Sequence, residues 1–250
     1  MTLAFNLVRR ITRPALAVLG LGLLVACGPA QVTRGVNDPL EPRNRAQFEQ
    51  NLALDRAVSG ALPSEGGAGG AVVRTAVRNV GETLSLPGTI INDLLQFRPD
   101  RAVRHSFRLA INATIGIGGL FDPAGNIGLY GRESDFGETL HVWGVGEGAY
   151  VVLPVLGPTT ERDIAGLLVD ELLLDPAGAI GLRQSERWIL RGIRLSALAA
   201  TRIEFADILD ANVMQSADPY TQARLLFLQT RRHHLGVDAE DDFIDPYEDF

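Results

Sequence analysis

Apolar residues recur every three or four positions through much of this chain, and strict alternation is rare. In residues 160–174, Ile164, Leu167, Leu168 and Leu172 fall on one helical face. A Thr160–Asp163 pair of capping-box type opens that stretch, and Asp175-Pro176 closes it. The same reasoning predicts helices over 46–58, 71–81, 88–97, 100–115, 184–210 and 219–234. The last opens on Asp218-Pro219, Asp as N-cap and Pro in the first helical position, and stops at Gly236. Asp38-Pro39 predicts a similar start near the other end. Between the first two helices, "SGALPSEGGAGG" (59–70) predicts a flexible, dispensable break in which glycine dominates. The strongest β-branched run is "AYVVLPVLG", which Pro154 interrupts. The fold expected is mainly α, one helical domain over 37–236 without internal repeats.

One stretch fits neither period. Residues 136–158, "FGETLHVWGVGEGAYVVLPVLGP", interleave five glycines with aromatics and aliphatics and carry almost no charge. Glycine lets a backbone bend and approach closely, so the segment can be a loop tucked against the core. Its apolar groups can equally meet something outside the chain.

Composition bears on what that could be. With 46% hydrophobic residues among 250, the chain can bury a sizeable core without disulfide or metal staples. Its net charge of −7 is opposite to the footprint that binding a nucleic-acid backbone requires, so no nucleic-acid partner is expected. The basic residues are all Arg, the better fork for phosphate and carboxylate oxygens.

The single cysteine gives the sharpest local signal. Arg9, Arg10 and Arg13 precede an apolar run over 15–26, which as a helix would span about 18 Å, short of the roughly 30 Å hydrocarbon core. Residues 1–26 therefore read as a signal peptide. Leu24-Val25-Ala26-Cys27 resembles the lipobox of bacterial lipoproteins, which makes Cys27 the lipidated first residue of the mature chain and residues 27–36 its linker. Loss of three arginines with the signal peptide takes the formal charge to −10. Gly28, in place of Asp, implies sorting to the outer membrane under the rule for such lipoproteins.

No catalytic motif stands out. The chain has no G-x-S-x-G elbow, H-E-x-x-H pair, Walker loop or cysteine pair, and His105 and His141 lack ligand spacing. No enzyme activity, cofactor or metal is expected; Asp135 and Glu138 are the least implausible acid/base pair. Arg187, Arg191, Arg194 and Arg202 share one face of the 184–210 helix. They read either as a solvated stripe or as a track for lipid headgroups. The acidic tail, 237–250, reads as disordered.

Four segments resemble the MlaA (VacJ-like) lipoproteins: "NDPLEPRNR" (37–45), "LAINATIGIGGLFDPAG" (109–125), "DFGETLHVWGVGEGAYVVLPVLGPTTERDIAG" (135–166) and "QSADPYTQARLLFLQTRR" (215–232). They occur in the family's order. Arg43, where the family usually has a bulky apolar residue, and the glycine-rich 59–70 depart from the pattern. The resemblance implies a ring of helices embedded in one leaflet of the outer membrane, with an amphipathic channel. Such a protein takes mislocalised phospholipids from the outer leaflet to a soluble periplasmic carrier and associates with a trimeric porin. On that reading Phe136, Val142, Trp143, Tyr150 and Val151, with Gly118, Gly119 and Phe121 upstream, border the lipid path, and Arg187, Arg191 and Arg194 meet headgroups. The other function class left open is an envelope lipoprotein that tethers partners without conducting lipid; a phospholipase is a more distant reading.

Overall fold

The computed structural model describes residues 35–61, 68–172 and 215–237, together with Gly192 and Val213. Cys27 and the stretch 1–26 expected to be a signal peptide, the 184–210 stretch apart from Gly192, and the acidic tail beyond Val237 lie outside the described residues.

The fold is mainly helical. Helices α1 (Glu41–Ala61), α2 (Ala68–Leu95), α3 (Pro99–Thr114), α4 (Pro123–Asn126) and α5 (Phe136–Val142) precede a hairpin of β1 (Tyr150–Leu153) and β2 (Gly157–Thr160). Helices α6 (Glu161–Leu172) and α7 (Pro219–Leu235) follow. The local stop signals work as expected. Thr160 Oγ1 accepts the Asp163 N–H at the start of α6, Asp218 accepts from Thr221 at the start of α7, and Gly236 ends α7 in the left-handed conformation at φ 74°.

Three expectations change. The predicted helices 71–81 and 88–97 are one helix, α2, which runs through Pro87. Proline removes one intrahelical hydrogen bond, but Thr83 and Leu86 before it and Thr89, Asn92 and Asp93 after it are all buried, and that packing carries the helix across. Of the stretch 59–70 predicted as a break, 59–61 belong to α1 and 68–70 to α2, and 62–67 lie outside the described residues. Gly69 and Gly70 fall in the first turn of α2, where N–H groups have no intrahelical partner to lose. Finally, α1 begins after Leu40, whose carbonyl accepts the Asn44 N–H, so Asp38 is not its cap. The Asp38 carboxylate is taken by more distant donors: Asn44 Nδ2, Tyr220 OH and Arg224.

Those donors bring the two ends of the domain together. Arg45 holds Asp218 through two nitrogens at 2.9 and 2.8 Å, and its guanidinium lies 4.4 Å from the centre of the Tyr220 ring. Beside this clamp sits a small aromatic core of Phe48, Tyr150, Val152, Tyr220 and Leu228, contributed by α1, β1 and α7. Tyr220 meets Phe48 and Tyr150 edge-on at 5.8 and 6.2 Å. The hairpin that supplies Tyr150 and Val152 is antiparallel, with Tyr150 opposite Thr160 and Leu153 opposite Gly157. Pro154 starts its loop and so interrupts no ladder. Among the described residues, no helix is long and apolar enough to cross a membrane.

Candidate functional site

Away from the aromatic core the usual distribution of polarity is reversed. On α3, His105, Arg108 and Asn112 are buried at helical spacing, whereas Val103 and Phe107 are 55% and 60% exposed. Toward the end of α2, Asn92 and Asp93 are fully buried and Gln96 nearly so, while Leu94 and Phe97 are 56% and 89% exposed. Both helices are amphipathic and turn their polar faces toward each other. The turn after α3 continues the outward apolar surface with Ile115, Ile117, Leu120, Phe121, Ile127 and Tyr130, all exposed.

A buried polar interior is stable only if its groups are paired, and most of these are. Thr139 Oγ1 donates to Asn92 Oδ1, Gln96 donates to Ser134 and Thr139, and Asn92 reaches Asp170 of α6. Asp170 also accepts the Phe136 N–H, which seats α5 against α6. Asn112 donates to Asp122 at 2.8 Å and accepts from the Ala124 N–H, so the "GGLFDPAG" turn folds back onto the polar face of α3. Burial alone would raise the Asp122 carboxyl, but the Gly125 N–H, Asn112 and the charge of Arg108 hold it below its ordinary value. Gly119, at φ 92°, completes that turn where a Cβ would strike the Thr83 side chain.

The residues expected along a lipid path separate. Phe121, Val142 and Gly118 are exposed, and Phe136, Trp143 and Val151 are half-buried. Phe136 and Trp143 stack edge-on at 5.6 Å, with the indole N–H on the Leu95 carbonyl. Tyr150 is 1% exposed and belongs to the aromatic core, and Gly119 is buried in its turn. Arg187, Arg191, Arg194 and Cys27 lie outside the described residues. Asp135 and Glu138 are engaged in structural ion pairs: Asp135 caps α5 and is gripped by Arg231, and Glu138 is buried under arginines.

That arginine cluster is the part that motif scanning misses. Arg98, Arg132 and Arg101 all address Glu138 Oε1, at 2.7, 3.0 and 3.4 Å. Arg104 is exposed beside them and forms no ion pair among the described residues. Next to it, His105 Nδ1 meets Asp93 Oδ2 at 2.6 Å in a fully covered pair. The available signal was the spacing: Arg98, Arg101, Arg104 and Arg108 recur every three or four residues around His105. Among the described residues, no group of His, Cys, Asp or Glu side chains is placed to hold a metal ion.

Comparison with known proteins follows the same outline. The intermembrane phospholipid transport system lipoprotein MlaA of Escherichia coli is 33% identical over 224 residues, covering 84% of this chain and 84% of the relative. An uncharacterised protein of Rickettsia bellii is 32% identical over 206 residues, covering 79% and 76%. A solved chain from work on the structural basis for maintenance of bacterial outer membrane lipid asymmetry superposes with a TM-score of 0.62 at 31% identity. That superposition covers 79% of this chain and 98% of the other. The profile of the MlaA lipoprotein family matches residues 36–234, and the chain belongs to that family.

Proposed function

We propose that the protein is a lipid-anchored component of the outer membrane that removes mislocalised phospholipids from the outer leaflet and passes them inward, maintaining lipid asymmetry. The observation that carries this reading is the inverted polarity of α2, α3 and the turn after α3. An aqueous protein gains nothing by exposing Phe97, Phe107, Ile115 and Ile117 while burying Asn92, Asp93 and Asn112. In acyl chains the apolar surface costs nothing, and paired polar groups belong inside. The relatives named as intermembrane phospholipid transport lipoproteins support a lipid-handling role. A lipoprotein that only tethered partners would need no such surface.

On this reading the exposed apolar groups of α2, α3 and the following turn lie among acyl chains. Phe121, Val142 and the Phe136–Trp143 pair border the route, and Arg187, Arg191 and Arg194 serve headgroups. Cys27 carries the anchor, and the protein works beside a trimeric porin and hands lipid to a soluble periplasmic carrier. Cells lacking the protein are expected to accumulate phospholipid in the outer leaflet, measured by labelling surface-accessible headgroups in intact cells. Unchanged labelling would sink the transport reading. The intact mass of the mature chain should correspond to a start at Cys27 with acyl chains added; an unmodified N-terminus elsewhere would remove the anchor from the scheme.

A further inference from the structure

An open recess of about 230 Å³ lies between the first half of α3 and the irregular segment before α5, lined by Arg101, Arg104, His105, Gly131 and Arg132. Three of the five are arginines. Glu138 is shared among Arg98, Arg101 and Arg132, so one carboxylate oxygen answers three guanidiniums, and Arg104 forms no ion pair among the described residues. The wall is therefore electrostatically incomplete.

The floor carries a second, independent feature. His105 is 2% exposed, its Nδ1–H spent on Asp93, and its Nε2 is buried without a hydrogen-bond partner. A buried ring nitrogen without a hydrogen-bond partner carries a desolvation cost. Nε2 faces Gly131, where a Cβ would collide with the imidazole. The missing side chain at Gly131 thus lets the imidazole pack directly against the backbone, and the His105 ring forms the floor of the recess.

We infer that this recess binds a phosphoryl group, held by the Arg101, Arg104 and Arg132 guanidiniums above the His105–Asp93 pair. Planar guanidinium forks match phosphate oxygens in two-point contacts. A carboxylate ligand would fill fewer of these donors than a tetrahedral phosphate does. The phosphate can come from a phospholipid headgroup or from a free phosphate anion. The lipid source rests on the transport reading above. It also suits the position of the recess, on the same helix as the outward Val103 and Phe107.

The test uses the full-length lipidated protein in dodecyl maltoside, titrated with dihexanoylphosphatidylglycerol and separately with inorganic phosphate. Wild-type protein is expected to bind the short-chain lipid saturably. Arg104→Gln/Arg132→Gln should weaken that binding by roughly tenfold or more. Gly131→Ala, which leaves the charge unchanged, should weaken it as well, because its Cβ would displace the His105 ring that floors the recess. Thermal unfolding of each variant verifies that it is folded; Arg104→Gln alone removes no existing ion pair and serves if the double variant is not. Saturable binding of both probes, or of the lipid alone, assigns the site to headgroups. Binding of inorganic phosphate alone supports the site but detaches it from the lipid route. The inference is overturned if neither probe saturates, or if folded variants bind both as the wild type does. Either result is separable from the transport reading, which stands or falls on outer-leaflet phospholipid in cells lacking the protein.

Discussion

Arg231→Met is expected to destabilise the fold by about 3 kcal/mol, more than any exposed substitution among these ion pairs. Arg231 is largely covered and ties three helices together. It meets Asp135 at the cap of α5 through two nitrogens at 2.8 Å, and Asp163 in the first turn of α6 at 3.0 and 2.8 Å. Removing it leaves two carboxylates facing each other across the seam where Gly166 brings α6 against the backbone of Gly137. Asp163 is largely buried, whereas the Asp135 side chain is about half open, and water relieves part of the penalty at that end.

The pH dependence follows from the sign of the shift. Burial pushes the Asp135 carboxyl up, but the hydrogen bonds and charge of Arg231 outweigh it and hold it below its ordinary value. A carboxyl depressed in the folded state contributes stability above its unfolded value, and that contribution is lost as pH falls through the folded one. Wild-type protein should therefore lose stability below about pH 4. Arg231→Met should show a shallower loss across that window because its Asp135 starts without the partner. Denaturant unfolding in detergent across the acidic range measures both. Equal stability of the two proteins at neutral pH would show that the Arg231 clamp contributes nothing.

Local signals made much of the fold legible. The α6 start at Thr160 and both ends of α7 depend on residues within four positions of each other, and caps of that kind are readable without tertiary context. Pro87 is different, because whether a helix survives a proline depends on what buries its neighbours. Strand β2, "GPTT", carries no apolar alternation; it exists because β1 and the cap of α6 hold both its ends. The site was hardest to read. Periodicity places His105, Arg108 and Asn112 on one face of α3 and Val103 and Phe107 on the other, yet says nothing about which face turns inward. On the proposed membrane reading the solvent makes that choice, because the rule that apolar faces turn inward holds in water alone. For the same reason the glycine-rich segment divides: Tyr150 and Val152 enter the aromatic core, and Val142 stays outside.

The inverted surface yields the sharpest test of membrane embedding. Phe107→Asp is expected to leave the fold nearly as stable as before in detergent, because Phe107 is 60% exposed and its removal opens no cavity. In a bilayer the same change is severe: aspartate at hydrocarbon depth costs about 3 kcal/mol, roughly a hundredfold in partitioning. The measurement is vesicle flotation of the chain from Gly28 onward, which lacks Cys27 and with it the proposed acyl anchor, and so reports the protein surface alone. Val142→Asp, on an exposed apolar position beside Trp143, should lower partitioning in the same direction. Val152→Asp provides the contrast, since Val152 is 5% exposed in the aromatic core and a carboxylate there should unfold the protein before any lipid is met. Equal flotation of Phe107→Asp and wild type would mean that the outward phenylalanine meets water or another protein, and the leaflet-embedded arrangement would have to be abandoned. A loss confined to Phe107→Asp and Val142→Asp, with detergent stability retained, is the outcome that only an apolar solvent around α3 produces.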